Sequence, residues 1–351
     1  MSTALADPIL ELQKRHRELH AAEPGLRMRD RAARLGVREA ELVAAQCGVG
    51  AIELVGDVSA PMQSIFRDLG SLGRVVALSR NDWCVHERHG VYTDIQADAP
   101  VGLVLGADID LRMFFQHWRY CYAVTERGRI SVQFFDRAGD AVHKVYLTED
   151  TSADAYAALL TNFASSERRL PEIEIYPPVV AGDAPDDPCA FRAAWLAMTD
   201  THDFIPLLRR FDVSRLGALR AVGNELAREV GGETVELVLR QAAATSLPIM
   251  CFVANRGIVQ IHTGPIKNLQ RTGPWYNVLD PSFNLHLNTS AVASSWIVAK
   301  PTVDGWVTSL ELFADDGSLI VQFFGARKPG RPELSQWRAL LTGVGQVPAA
   351  L

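Results

Sequence analysis

At 351 residues the chain has room for two domains or one large duplicated one, and 48% hydrophobic residues are enough to bury a sizeable core. A formal charge of −6 disfavours wholesale nucleic-acid binding, though it leaves room for a local basic pocket that takes an anionic ligand. Five scattered cysteines (Cys47, Cys84, Cys121, Cys189 and Cys251) form no Cys-x-x-Cys pair, which speaks against a disulfide framework or a thiolate metal site and for a reducing compartment. No apolar run reaches the ~18 residues of a membrane-spanning helix. The charged stretch Met1 to Glu18 lacks the apolar centre of a secretory signal. The expectation is a soluble, cytoplasmic protein.

In chain order, residues 7–20 read as a short amphipathic helix, and Arg29 to Ala45 as two helices joined by a tight turn at Gly36. Runs rich in β-branched and aromatic residues follow at 74–80, 130–135 and 143–147, with Ala138-Gly139-Asp140 as a hairpin turn. Residues 170–188 carry five prolines and read as a linker. Asp187-Pro188 then predicts an N-cap and a first helical position, with Phe191, Ala194, Trp195 and Met198 on one helix face. Thr199 to Asp203 is rich in capping residues and holds His202. Phe204, Leu207, Leu208 and Phe211 begin a second helical face, and Ser214 caps a third helix starting at Arg215. Further strands are predicted at 249–253, 257–262, 306–313 and 318–324, with a turn at Asp315-Asp316-Gly317.

The two halves resemble each other. Arg29–Ala45 and Arg209–Ala221 share a helical pattern in which Val37 matches Val213, 176 residues later. His86 matches His262 at the same spacing, and Trp118 with Trp296 and Ser131 with Ser309 match at 178. A spacing held over that length indicates internal duplication. The expected class is α+β, each half having N-terminal helices and a large antiparallel sheet. The expected division is a first repeat over 1–169, a Pro-rich linker over 170–188 and a second repeat over 189–351. Residues present in one copy only are the better functional candidates. On this alignment His202 falls opposite Leu26 and Lys300 opposite Tyr122, and the region Phe283 to Leu287 has no match for Arg112. If Ile109–Phe115 is a strand, Arg112 and Phe114 share one face and Leu111, Met113 and Phe115 the other. A cation beside an aromatic suits a flat, anionic, largely apolar ligand.

Four ordered motifs carry a family resemblance: Arg80-Asn-Asp-Trp-Cys-Val-His-Glu, Leu103-Val-Leu-Gly-Ala-Asp-Ile-Asp-Leu-Arg-Met-Phe, Thr199-Asp-Thr-His-Asp-Phe and Gln260-Ile-His-Thr-Gly-Pro-Ile-Lys-Asn-Leu. Through them the chain resembles, over essentially its whole length, the cytoplasmic haem-utilisation proteins of the HemS/ChuS/PhuS family. The resemblance implies a haem b cleft between the halves and a place in haem uptake and iron acquisition. It implies His202 as the proximal iron ligand and Arg112 and Phe114 on the distal side, with Arg112 the catalytic candidate. Arg215, Lys300, Gln322 and Arg327 match positions near the propionate edge. The family pattern often has a tyrosine two residues after the glutamine, where this chain has Phe324. Some members use a second haem site in the first half, for which His86 is the residue to test.

Neutral imidazole binds haem iron, and the distal pocket decides between storage, oxygen activation and release. Arginine and lysine pair well with propionates. Two activities fit: opening of the porphyrin ring, with a reductase as electron source, or delivery of haem to a separate haem oxygenase. Each candidate also has a plainer reading. His202 can cap a helix, Arg112 can pair with Asp110, Phe114 can be core, Arg215 can cover its helix's first turn, and Lys300 can be a solvated strand end. A third function, a helix-turn-helix regulator built on Arg29–Ala45, is disfavoured by the acidic charge; no nucleic-acid partner and no membrane insertion are expected.

Overall fold

The structure, a computed structural model, describes residues 7–178, 181–328 and 330–344. Residues 1–6 of the expected first repeat, 179–180 of the expected linker and 329 and 345–351 of the expected second repeat lie outside the described residues. The chain forms two compact units. Among the described residues, the first comprises 7–79, 87–177 and 255–260, and the second 80–86, 178, 181–254, 261–328 and 330–344. Each unit is therefore built from non-consecutive pieces of chain.

The first unit opens with helices Pro8–Ala22, Met28–Leu35 and Glu39–Ala45. Asp7 accepts the Ile9 N–H and Pro8 stands in the first turn, which starts the first helix where its donors would otherwise be unpaired. Gly36 ends the second helix in the left-handed region at φ +69°, as the predicted turn requires. Five antiparallel strands follow in the spatial order Ala51–Glu53, Trp118–Glu126, Arg129–Asp136, Ala141–Thr151 and Gly73–Arg80. The three opening helices pack on one face of this sheet, against Tyr122, Val124 and Phe135. Cys121, Ala123 and Phe134 point to the opposite face, into a second core with helices Pro61–Asp68 and Ala153–Phe163 and strands Val101–Leu105 and Asp110–Phe114. A sheet covered on both faces explains strands that are buried at consecutive positions, as over Cys121–Val124 and Ser131–Asp136.

The second unit repeats this plan. Helices Pro188–Leu196, Phe204–Arg210 and Arg215–Ala221 pack with Trp296, Val298 and Phe313. The strand order Ala227–Val230, Ser294–Thr302, Gly305–Phe313, Leu319–Gly325 and Ile249–Ala254 parallels that of the first unit. Ile297, Leu310 and Leu312 face the other core, closed by helices Thr234–Thr245 and Ser335–Val344. One turn recurs in both units. Asn81 accepts the N–H groups of Trp83 and Cys84 and donates to the carbonyls of Ala254 and Ile320. Asn255 accepts the Gly257 N–H and donates to the Val142 carbonyl.

The strand register refines the duplication. Ala51 faces Val124 and Ala227 faces Val298, so the second strands match at a spacing of 174. Val124 faces Ser131, but Val298 faces Ser309, so the third strands match at 178. The reason is a longer hairpin in the second unit: its tip closes at Thr302 and Gly305, where the first closes at Glu126 and Arg129. Trp296 therefore corresponds to Tyr122 rather than Trp118, and Lys300 to Glu126 rather than Tyr122. The strands Cys84–Gly90 and Ile258–Gly264 likewise align at 174, which sets His86 opposite Gln260 instead of His262.

Candidate functional site

His202 lies where the sequence places it, in a single helical turn, Thr201–Asp203, before the helix Phe204–Arg210. The turn is held by carboxylates. Asp203 Oδ2 accepts the N–H groups of Thr199 and Asp200, each at 3.0 Å, and the Thr199 hydroxyl. Asp200 Oδ1 accepts the His202 backbone N–H at 2.8 Å. The Thr199 carbonyl accepts the N–H of Val303, at the tip of the long hairpin, at 2.9 Å. The backbone is thus fixed while the imidazole is left open: the His202 side chain is 90% exposed. Its Nδ1 lies 2.5 Å from Asp200 Oδ1. The His202 backbone bond, followed by the imidazole bond and the charge of Arg327, holds the Asp200 carboxyl below the ordinary range. An ionised carboxylate only accepts, so Nδ1 is the donor in this bond and Nε2 is the ring nitrogen left for another partner.

Next along the chain, Phe204 lies beneath two cations, with the Arg215 guanidinium 4.8 Å and the Lys300 ammonium 4.5 Å from its ring centre. Both cations converge on Glu311, a fully buried carboxylate. Lys300 Nζ donates to Oε1 at 2.7 Å, Arg215 donates to Oε2 at 2.9 Å, and the Ser309 hydroxyl donates to Oε1. Burial alone would raise the Glu311 carboxyl, but Lys300 and Arg215 pull it down to about 2. Burial leaves Lys300 below the ordinary lysine value despite Glu311, because Arg215 opposes it as well.

Lys300 lies near the end of its strand, paired with Val307, but is only 3% exposed and so is not a solvated strand end. Arg215 stands at a helix N-terminus, where a cation is unfavourable by the dipole alone; Glu311 supplies the compensation. Its counterpart in the first unit is Glu39, also at the first position of its helix, which takes Lys144 Nζ at 2.5 Å. The duplicated position thus carries opposite signs in the two copies.

Gln322 pairs with Glu311 across the strands, on the same face. Phe324, where the family pattern often has tyrosine, packs against Phe252 with ring centres 5.0 Å apart. Arg327 donates to Asp304 at 3.2 Å, and its buried Nε has no partner. The second unit therefore brings together Arg215 and Lys300 by direct contact with Glu311, places Gln322 beside them, and sets Arg327 near Asp200 and His202.

The chain matches the family described as the haemin-degrading HemS.ChuX domain twice, over residues 36–163 and 212–344. It belongs to that family. The hemin transport protein HemS of Yersinia enterocolitica is 41% identical over 335 residues, covering 93% of this chain and 95% of that protein. The holo-PhuS structure, a haem-binding protein from Pseudomonas aeruginosa, is 43% identical with a TM-score of 0.92, covering 97% of this chain and 99% of that one. ChuS, a haem-degrading enzyme of Escherichia coli O157:H7, is 36% identical with a TM-score of 0.90, covering 96% and 99%. The paired matches to one family domain agree with the two α+β copies seen in the fold.

The HemS-family candidates of the first unit take up the predicted strand geometry. In Asp110–Phe114, Leu111 and Met113 are buried, while Arg112 and Phe114 share the half-buried face. Arg112 does pair with Asp110, and also donates to the Leu111 carbonyl at 3.0 Å. Its side chain remains 32% exposed, so part of the five-donor guanidinium fork is open. His86, expected in the first half, falls instead in the second unit, fully buried with its ring 5.0 Å from that of Phe283, so no open face is offered to a second haem.

The helix-turn-helix reading fails on packing. Six of the seven residues of Glu39–Ala45 are buried, which leaves no face for a DNA groove. Two residues of the site escape the sequence reading, Asp200 and Glu311. Asp200 lies two positions before His202 in a quoted motif. Glu311 is marked only by replacing Gln133 of the matching strand.

Proposed function

We propose that this HemS-family chain binds haem b during haem uptake for iron acquisition in the cytoplasm, and either degrades it or hands it on. The observation carrying this reading is His202: a nearly fully exposed imidazole whose Nδ1 is committed to Asp200, leaving Nε2 as a ligand on a fixed backbone. Around it, Arg327 with its unpartnered Nε and Arg215 at 20% side-chain exposure are the cations suited to propionates. Lys300 contributes through the charge it shares with Glu311, and Gln322 as a neutral donor beside that pair. Arg112 and Phe114 are proposed as the distal groups, Arg112 supplying hydrogen bonds and Phe114 an apolar wall. Bound haem supplies the iron at which oxygen chemistry takes place. The protein's part would be to hold the His202 imidazole in one tautomer, neutralise the carboxylates and supply a hydrogen-bond donor.

Haem titration of the parent and of His202→Ala tests the assignment. The variant should lose or shift the Soret band and weaken binding sharply; an unchanged spectrum and affinity would remove His202 as ligand. Arg112→Ala should change the sixth-ligand spectrum more than haem affinity, and the reverse pattern removes it from the distal side. Ascorbate with catalase present separates the two activities. Bleaching with release of carbon monoxide identifies ring opening, for which a reductase is the partner. A stable spectrum with transfer to an added haem oxygenase identifies the carrier.

A further inference from the structure

Asp200 makes two bonds from one oxygen. Its Oδ1 accepts the backbone N–H of His202 at 2.8 Å and lies 2.5 Å from the same residue's Nδ1. Its own backbone is tied down, because its N–H donates to Asp203 Oδ2 at 3.0 Å and the preceding carbonyl, that of Thr199, accepts from Val303. The carboxylate is therefore held independently of the imidazole it touches. The duplication supplies a second observation. The helices Met28–Leu35 and Phe204–Arg210 align at a spacing of 176, which matches Asp200 to Pro24 and His202 to Leu26. The first copy lacks both members of the pair, so the carboxylate and the imidazole are present together or absent together.

We propose that Asp200 is a positioning residue for His202 that fixes the Nδ1–H tautomer and gives the imidazole anionic character, so that the second unit favours ferric over ferrous haem. This rests on the reading of His202 as the iron ligand. A carboxylate on the far nitrogen of a metal-bound imidazole raises the basicity of the ligating nitrogen and fixes the ring plane. Greater donation stabilises the more highly charged iron, so the carboxylate acts on the preference between oxidation states as well as on affinity.

The test uses the full-length haem complex and three variants, Asp200→Asn, Asp200→Ala and His202→Ala. Asp200→Asn keeps an oxygen for the His202 backbone N–H while removing the charge. It should weaken ferric haem binding about 10-fold to 100-fold, the range for outer partners of metal ligands. A tenfold loss of preference for ferric over ferrous haem appears as a midpoint potential raised by about 59 mV for one electron. The iron–histidine stretching band of the ferrous complex should move to lower frequency. Asp200→Ala should move both readouts at least as far. A role confined to holding the turn would weaken affinity for both oxidation states equally and leave the potential and the band in place. Parent-like potential and band in Asp200→Asn, beside a lost Soret band in His202→Ala, overturn the proposal while the haem-ligand reading stands. A parent-like Soret band in His202→Ala overturns both.

Discussion

Replacing Glu311 with glutamine keeps the size of the side chain but removes the negative charge that faces Lys300 and Arg215. The carboxyl is drawn from 4.5 to about 2, chiefly by Lys300 and Arg215 acting against burial. At ~1.4 kcal/mol per pH unit, that difference corresponds to about 3 kcal/mol of stability at neutral pH. Removing one partner of a buried pair costs ~3–5 kcal/mol by another route, because the remaining charge is stranded. Lys300, 3% exposed, is the stranded charge. Urea unfolding of Glu311→Gln at pH 7 should therefore show a loss of about 3–5 kcal/mol with an unchanged slope. The folded carboxyl titrates below the unfolded one, so its contribution is complete above about pH 4.5 and fades as the pH falls toward 2. The gap between parent and variant should close over that window. Adding Lys300→Met to Glu311→Gln should recover part of the loss, since the buried cation is then gone. A loss under ~1 kcal/mol at pH 7, or a gap that stays constant into acid, refutes the reasoning that the triad is a coupled buried charge cluster.

His143 is buried between the Tyr92 hydroxyl and the Ser79 hydroxyl, and burial pushes its imidazole down to about 3. Its folded value lies below the unfolded one, so its contribution is full above about pH 6.5 and is lost as the pH falls toward 3. The urea stability of the parent should fall relative to His143→Gln by about 1.4 kcal/mol per pH unit across that window; parallel curves would show that the group does not titrate on unfolding. Asn81→Ala removes two donated and two accepted hydrogen bonds and should cost about 2–3 kcal/mol, with Asn255→Ala costing less; thermal unfolding measures both. Gly36→Ala meets no neighbouring atom and should cost only the left-handed backbone penalty of ~1–2 kcal/mol. Gly139→Ala should cost more in the same assay, because its Cβ would approach Arg38 Cβ to 2.7 Å.

Local features are legible in this sequence. The cap at Asp187, the turn at Gly36 and the joint holding His202 depend on residues within a few positions of one another, and they appear where the pattern places them. The duplication is legible as well, since apolar helix faces survive divergence. Strand register is less so, because a hairpin can lengthen without disturbing its flanks, and a constant spacing then carries Lys300 to the wrong partner. Glu311 and Asp200 are harder still. A carboxylate in a sequence looks solvated until folding brings cations or an imidazole to it. The helices Pro61–Asp68 and Thr234–Thr245 go unread because their neighbours draw attention as strands. Lys300 illustrates the general difficulty: its position before a proline suggests a strand end, whereas the fold surrounds it.

The long hairpin of the second unit has an evolutionary consequence. Lengthening a two-stranded tip inserts residues at the one place in a sheet where neither the pairing behind it nor the core beneath it has to change. In the first unit the shorter tip reaches the equivalent loop through a side chain, with Arg127 donating to the carbonyl of Leu26 at 2.7 Å. In the second, the tip reaches Thr199 through the backbone of Val303 and supplies Asp304 to Arg327. Backbone anchoring does not depend on which amino acid occupies the tip. The loop carrying His202 is consequently insulated from drift in its support, while the residues on the loop itself stay free to diversify. A length change, more than any single substitution, can thus separate the roles of two copies that began as equals.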